Sequence, residues 1–292
     1  MARRMPPLDQ QEPRASVAKA ITLAHEGSSR FNERWLVRMA DGAQVECVLY
    51  RGDTLCVSSQ VGCAVRCPFC ASGAGGLGRP LALSEMIGQV EAVQALGRRL
   101  ARVTVSGVGE PLHNHAVVQR FVDHCRAQRI WPSLTTSGGP LPRLREWLHG
   151  VHNGLTISVH AGSEPVRARM VPHAPGLAPL FDVLNDELPR MTQRRRRKTA
   201  LAYLVIDGVN DGDTEIDAFV ARVLPLGLQV HLYAYNPVPT SAFTRLPEAR
   251  YHAIYARMAA AGLRVRMSSQ ARIEANGGCG TLVALRASRP SA

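Results

Sequence analysis

Apolar and polar positions in this chain alternate with two different periods. Two runs with the two-residue period of a strand flank Asp41-Gly42, namely Trp35–Met39 before it and Val45–Leu49 after it. Asp-Gly between alternating apolar runs is a strong signal for a β-hairpin. The pattern therefore predicts an antiparallel hairpin near the N-terminus.

From Leu55 onward, short apolar runs alternate with stretches that have the period of an amphipathic helix. Strands are predicted at Leu55–Ser58, Arg102–Ser106, Ser133–Thr136, Leu155–His160, Thr199–Ile206 and Gln229–Tyr235, with a last strand near Leu263–Met267. Helices are predicted at Ser84–Arg98, Asn114–Gln128, Leu141–His149, Leu177–Met191, Asp213–Leu224 and Pro247–Ala261. This alternation indicates an α/β fold, in which helical crossovers join parallel strands.

Composition supports a globular protein. Of the 292 residues, 46% are apolar and 20% are charged, which argues against a disordered chain or a membrane bundle. The longest apolar run, Leu201–Ile206, is too short to span a bilayer, and no apolar stretch near the N-terminus resembles a secretion signal. We therefore expect a cytoplasmic protein with reduced thiols and no membrane partner.

The net charge of +12, from 35 Lys and Arg against 23 Asp and Glu, predicts attraction to polyanions such as RNA or DNA. Codon bias in a GC-rich genome is an alternative explanation, because nearly all the basic residues are arginine. Arg194–Lys198 is a run of five consecutive cations. It is either a phosphate contact or a solvated surface run.

Chemically distinctive residues follow the predicted strands. Ligands bind at the carboxyl ends of parallel strands, and there the chain carries a cysteine cluster, Gly107–Pro111, Thr136–Gly139, His160 and Asn236-Pro237. Cys63, Cys67 and Cys70 have the spacing C-x3-C-x2-C. Three thiolates on one loop suit an iron–sulfur cubane with one open iron, whereas a zinc site would need a fourth ligand such as Cys56 or a histidine.

This cysteine spacing, with Phe69 before the last cysteine, resembles the signature of the radical S-adenosylmethionine (SAM) superfamily. The resemblance implies a partial (β/α)6 barrel and a [4Fe–4S] cluster held by Cys63, Cys67 and Cys70. The open iron would bind SAM, whose reductive cleavage gives a 5′-deoxyadenosyl radical. Together with the residue pattern, this predicts a flexible tail (1–16), a small extension with the hairpin (17–53), the barrel (54–268) and a C-terminal loop (269–292).

A longer ordered set of motifs is similar to the RlmN/Cfr family of RNA adenine methyltransferases. The set, spread over roughly residues 30 to 283, includes Thr54–Cys63, Gly109–Leu112, Thr136–Gly138, Ile157–Ala161, Val209–Asp211, Asn236-Pro237 and Cys279-Gly280. This likeness implies methyl transfer to an adenine carbon of rRNA or tRNA, carbon 2 in preference to carbon 8. It also implies two SAM molecules per turnover and an electron donor such as flavodoxin or ferredoxin. We expect a monomer.

The same likeness implies roles for individual residues. Cys279 would accept a methyl group and carry it to the base, Glu46 would take a proton from the substituted carbon, and Cys56 would attack the Cys279 sulfur to leave a disulfide. The cofactor would be contacted by Gly109, Glu110, Thr135, Ser158, Val159, His160 and Asn236.

Each role has a structural alternative. Cys56 and Cys279 could be small core residues, Glu46 a solvated strand residue and His160 a structural histidine. Two other functions also stay open. Compared with typical members of the RlmN/Cfr family, the segment before Glu46 is short and the sequence around Cys279 is altered. Both differences would suit a radical enzyme with another substrate. A non-catalytic RNA-binding protein stapled by a metal is the third hypothesis.

Overall fold

The computed structural model describes residues 21–274, 276–277 and 280–284. The predicted tail at 1–16 lies outside these residues. The described chain forms twelve strands: β1 (Ile21–Ser28), β2 (Asn32–Met39), β3 (Gln44–Tyr50), β4 (Thr54–Val57), β5 (Gln60–Gly62), β6 (Leu77–Pro80), β7 (Arg102–Val105), β8 (Trp131–Thr136), β9 (Gly154–Ser158), β10 (Thr199–Val205), β11 (Gln229–Ala234) and β12 (Arg264–Met267).

Helices connect these strands. They are α1 (Ala71–Ala74), α2 (Leu83–Ala95), α3 (His115–Ala127), α4 (Leu141–His149), α5 (Glu164–Met170), α6 (Leu177–Glu187), α7 (Gln193–Arg196), α8 (Asp213–Val223), α9 (Glu248–Ala260) and α10 (Gln270–Ile273). Short 3-10 helices at Pro111–Asn114, Leu188–Arg190 and Leu224–Leu226 extend α3, α6 and α8.

Ten of the strands form one sheet in the order β1-β2-β3-β4-β7-β8-β9-β10-β11-β12. The first four pair antiparallel, and the strands from β4 to β12 pair parallel. The parallel strands end almost level with one another, as the partners Val105–Leu134 and Thr136–Ile157 show. Their carboxyl ends therefore form one continuous rim.

Burial explains why the central strands are apolar runs. Every residue of β10 is buried, as expected for a parallel strand covered by helices or side chains on both faces. A second, smaller apolar cluster contains Val65, Phe69, Met170 and Tyr235. It lies under the cysteine loop and connects that loop to the barrel.

The structure confirms the predicted α/β fold with six β/α units and an N-terminal hairpin. Helix α4 has the predicted bounds, and β12 follows the sixth unit as expected. The edge strand β1, the paired strands β5 and β6, and the short helices α1, α5, α7 and α10 were not predicted. The predicted extension and the barrel share one sheet, because β3 pairs with β4.

We find no helix in the described part of the chain that is both long and apolar enough to cross a membrane.

Candidate active site

The three spaced cysteines lie on a tightly folded loop between β5 and α1. Cys70 immediately precedes α1, and its N–H donates to the carbonyl of Cys67 at 3.0 Å. Position 62 requires glycine, because φ is +79° and a Cβ atom there would lie 1.9 Å from the carbonyl oxygen of Gly76. The N–H of Cys63 donates to that same oxygen at 3.2 Å. The loop is thus fixed against the β5–β6 hairpin.

The cysteine loop covers a cleft at the carboxyl-terminal rim of the sheet. The cleft is open to solvent at its mouth. All three cysteines line one side of it. The other side is formed by residues at the ends of the strands, which are Ser106, Gly107, Gly109, Glu110, Thr135, Thr136, Ser137, Ser158, His160, Leu204 and Tyr233.

The donor set fits an iron–sulfur cluster. Burial raises the pKa of Cys63 to about 12 and that of Cys67 well above its ordinary value, so their thiolates need a bound cation at neutral pH. Within the described residues, no three Cys, His, Asp or Glu side chains converge as ligands of a single ion. The fourth zinc ligand considered above, Cys56, instead contacts Ser106. In a cubane, each of the three thiolates binds a different iron, so the three cysteines do not have to converge on a single point.

Glu110 fixes the wall of the cleft. One of its carboxylate oxygens accepts from the hydroxyl of Thr136 (2.6 Å) and the N–H of Leu112 (3.0 Å). The other accepts from both the N–H and the hydroxyl of Ser137, each at 2.7 Å. The carboxylate is therefore already held by four protein donors, and it ties the segment after β7 to the end of β8.

Five of the predicted cofactor contacts line the cleft: Gly109, Glu110, Thr135, Ser158 and His160. Val159 and Asn236 are not among the lining residues. The side chain of Val159 is fully buried. Asn236 donates to the carbonyl of Arg272 at 2.7 Å and accepts from Arg245. It thus links the chain after β11 to α10.

His160 follows β9 with a positive φ of 59°. Its Nδ1 accepts the N–H of Leu204 at 2.9 Å, and its ring meets the edge of Phe69 at a centroid distance of 5.5 Å. Burial and then the charge of Arg167 lower the pKa of His160 to about 3. The imidazole is therefore neutral and carries its proton on Nε2, so it can act as a donor at the cleft.

Arg167 is a site residue that the sequence analysis missed. Its side chain, from α5, is only 1% exposed. The guanidinium donates to the carbonyls of Ser137 (2.7 Å), Ser158 (2.7 Å), Val159 (2.9 Å) and Pro175 (3.0 Å). It therefore holds together the ends of β8 and β9, which form the floor of the cleft.

Known proteins share this architecture. The radical SAM superfamily model matches residues 57–219. The crystal structure of a radical SAM methyltransferase from Sphaerobacter thermophilus has a TM-score of 0.81 and 28% identity, covering 92% of this chain and 84% of that one. A probable RNA methyltransferase of Methylibium petroleiphilum is 34% identical over 89% of this chain and 73% of its own length. The dual-specificity RNA methyltransferase RlmN of Magnetococcus marinus is 31% identical over 76% and 67%.

The chain belongs to the RlmN/Cfr family of radical SAM RNA methyltransferases. It is therefore an enzyme, and its cofactors are a [4Fe–4S] cluster and SAM. Membership of the RlmN/Cfr family removes the non-catalytic RNA-binding protein from the hypotheses.

In this RlmN/Cfr family member, Glu46 is buried, so the solvated alternative is wrong. Its side chain accepts the N–H of Val283 at 2.7 Å, and its other oxygen lies 3.4 Å from Nε of Arg34. Burial raises the pKa of Glu46, although the Val283 N–H and the Arg34 charge oppose the shift. The carboxylate is thus placed on β3 against the C-terminal segment.

The two remaining catalytic candidates of the family pattern are cysteines. Cys56 is buried in β4, with its sulfur 3.3 Å from the hydroxyl of Ser106, which lines the cleft. Cys279 lies outside the described residues. Its neighbour Gly280 lines the cleft and accepts the N–H of Ala71 at 2.8 Å. The segment after Cys279 is therefore bound to the helix that follows the cluster cysteines.

Proposed function

We propose that this enzyme transfers a methyl group from SAM to an adenine carbon of rRNA or tRNA, carbon 2 in preference to carbon 8. One observation carries the proposal: Gly280, beside Cys279, lines the same cleft as Cys63, Cys67 and Cys70. An adenine C–H carbon is too poor a nucleophile to attack a methyl sulfonium directly. A protein thiol next to the radical-generating cofactor would instead carry the methyl group and deliver its carbon to the adenine by a radical route.

Cys63, Cys67 and Cys70 would hold the cluster, which with SAM supplies the radical chemistry that an unactivated C–H bond requires. The chain's own residues shape the cofactor cleft. Gly109, Glu110, Thr135, Ser158 and His160, which line the cleft, would contact SAM, with His160 donating through Nε2. Val159 and Asn236 do not line the cleft and would support cofactor binding indirectly. The Val159 carbonyl accepts from Arg167, and Asn236 positions the end of β11.

The catalytic groups then act in sequence. Cys279 would receive a methyl group from one SAM. The radical chemistry that a second SAM would supply removes a hydrogen atom from this methyl group, and the carbon then bonds to the adenine. Glu46 takes the proton from the substituted carbon, a task helped by a carboxyl pKa raised toward neutral pH. The Cys56 thiolate attacks the Cys279 sulfur, so that an S–S bond forms as the S–C bond to the RNA breaks. A dithiol reductant would return two electrons and two protons to restore both thiols, and an electron donor such as flavodoxin or ferredoxin would reduce the cluster.

Nucleoside mass spectrometry of cellular RNA tests the proposal. We expect rRNA or tRNA from a deletion strain to lack one carbon-methylated adenosine, and the wild-type gene to restore it. Cys279→Ala should not restore it, because no thiol carries the methyl group. Cys125→Ala is the matched control, since Cys125 is buried in α3, away from the cleft. Full restoration by Cys279→Ala would show that the two-step route is wrong.

Cys56→Ala is expected to stall after carbon–carbon bond formation. The variant should accumulate protein covalently linked to RNA through Cys279, because no thiolate is present to break the S–C bond. A denaturing gel of protein expressed in cells should show a shifted band that ribonuclease removes. The shift should vanish in Cys56→Ala/Cys279→Ala.

A purely structural Cys56 predicts a different result. Truncating a buried thiol would then cost about 1–2 kcal/mol of folding stability without trapping RNA. An active Cys56→Ala enzyme with no shifted band would therefore exclude the resolving role.

A further inference from the structure

The basic run Arg194–Lys198 lies on the rim opposite the cleft. Lys198 immediately precedes β10, and Trp131 is the first residue of β8. In a parallel sheet, strand starts share one rim and strand ends share the other. The seven residues of β10 place the two rims about 20 Å apart, at about 3.3 Å per residue. The run is therefore remote from the cofactor.

On this rim the run forms part of a pocket, which we call the basic rim pocket. Its principal lining residues are Arg126, Trp131, His152, Arg194, Arg195 and Lys198. They come from the end of α3, the start of β8, the turn before β9 and the segment around α7. Residues distant in sequence thus converge at one place, which a solvated charge run does not require.

The positive charges of the pocket are not balanced within it. Among the described residues that line it, none is an Asp or Glu. Burial, followed by the charges of Arg194, Arg195 and Arg126, lowers the pKa of Lys198. Arg126 has one exposed carboxylate neighbour, Asp123, at 3.8 Å. Cations that repel one another in this way gain free energy from a bound polyanion.

His152 adds an independent observation. It is only 3% exposed, and its Nε2 donates to the carbonyl of Trp147 at 3.0 Å. Its Nδ1 is therefore an acceptor, and within the described chain this buried nitrogen has no hydrogen-bond partner. A buried acceptor without a donor is costly, so the pocket is suited to a ligand that brings a donor as well as negative charge.

Trp131 adds an exposed aromatic surface to the pocket. It is 57% exposed, which is unusual for so large an apolar side chain. An exposed indole beside arginines is the arrangement on which nucleic-acid bases stack.

We propose that the basic rim pocket is a second RNA-binding site, separate from the catalytic cleft. Arg126, Arg194 and Lys198 bind a phosphodiester, Nδ1 of His152 accepts a 2′-hydroxyl, and Trp131 stacks a base. The 2′-hydroxyl is the donor that distinguishes RNA from DNA. This inference rests on the proposed RNA substrate. Arg196, Arg197 and Arg264 line an adjacent groove and continue the positive surface.

The position of the pocket determines which RNA can use it. A short oligonucleotide in the cleft cannot reach across the barrel to the opposite rim. A folded RNA can contact both rims at once, so the pocket contributes to the affinity for folded RNA and to its orientation.

Binding measurements on the full chain test the inference. The probe is end-labelled bulk tRNA, titrated by fluorescence anisotropy at several salt concentrations. We expect Arg126→Ala/Arg194→Ala/Lys198→Ala to bind it about 10- to 100-fold more weakly, with a salt slope reduced by about two. Trp131→Ala, a change at an exposed site, should weaken binding about tenfold through lost stacking.

The matched control removes the same formal charge elsewhere. Arg143→Ala/Arg250→Ala/Arg257→Ala deletes three arginines that are each ion-paired with carboxylates on the outer helices. Its tRNA affinity should equal that of the wild type. An equal loss in both triple variants would mean that only net charge matters, and the site would be refuted.

His152→Phe tests the 2′-hydroxyl contact. With mixed-sequence RNA and DNA oligonucleotides of equal length, the wild type should prefer RNA and the variant should lose that preference, its fold being checked by thermal unfolding. Unchanged preference in folded His152→Phe, together with unchanged tRNA affinity in Trp131→Ala, would overturn the inference.

The failure of this inference differs from the failure of the proposed function. If the wild-type enzyme methylates RNA and the variants of the basic rim pocket bind tRNA with wild-type affinity, the proposed function holds and the second site does not exist. A wild-type enzyme that binds tRNA through the rim but methylates no RNA has the second site and a different reaction. A chain that binds no RNA at all contradicts both.

Discussion

Cys67→Ala is expected to yield a colourless protein with background levels of iron and acid-labile sulfide. Cys67 is one of three thiols on the loop that covers the cleft, and two thiolates are not a sufficient ligand set for a cubane. Without the cluster, SAM cleavage and every later step should be lost completely. The measurements are iron and sulfide analysis, and SAM cleavage with a chemical reductant, all on anaerobically purified protein.

The control for this prediction is Cys125→Ala, which removes a buried thiol near the end of α3 that does not line the cleft. It should retain iron, colour and SAM cleavage. Cys63→Ala and Cys70→Ala should behave as Cys67→Ala does. A brown Cys67→Ala protein with full iron content, or a wild type that contains stoichiometric zinc and no sulfide, would contradict the assignment.

Arg167→Met is expected to cause the largest loss of stability of any single substitution at the site. It leaves four carbonyls that now accept from the guanidinium, on Ser137, Ser158, Val159 and Pro175, without that donor. Each buried unsatisfied polar group costs about 1–3 kcal/mol, so we expect a loss of about 3–5 kcal/mol after relaxation. Urea unfolding followed by circular dichroism measures it.

Arg169→Met, in the same helix, is the matched control because Arg169 is exposed and stacks over Phe243 at 5.7 Å. Its unfolding free energy should change by less than about 0.5 kcal/mol. If Arg167→Met still folds, SAM binding should weaken, since the floor of the cleft loses the group that joins β8 to β9. Equal stability of the two variants would show that Arg167 does not hold the strand ends together.

Local patterns explain how much of the fold was predictable. The helix at Leu141–His149 and the buried strand at Thr199–Val205 have clear periods or apolar runs, and both occur where the sequence predicts them. Strand β1 was missed because it is an edge strand, largely exposed and with a bulge between His25 and Gly27. Helix α5 was missed because a buried arginine occupies a position where an apolar residue would mark the inner face.

In the site, as in the fold, local sequence signals were predictable and long-range contacts were not. Cys63, Cys67 and Cys70 could be found because the three ligands lie close together in the sequence. Arg167 could not be found from the sequence, because its partners on β8 and β9 become its neighbours only after the strands align. The sequence identified Arg194–Lys198 as a basic run, but only the fold brings Trp131 and His152 next to it. Cys279, which the family pattern selects, lies outside the described residues.

Strand β12 has a consequence for self-association. It is the last strand of the sheet within the described residues, and its Arg264 and Arg266 are exposed. An open edge offers unpaired N–H and C=O groups to a strand from another molecule. In an antiparallel pairing centred on Val265, a second copy of β12 would place Arg264 opposite Arg266, and like charges across a strand pair are destabilising. Arg264, which extends the positive surface toward RNA, therefore also discourages edge-to-edge aggregation of the protein.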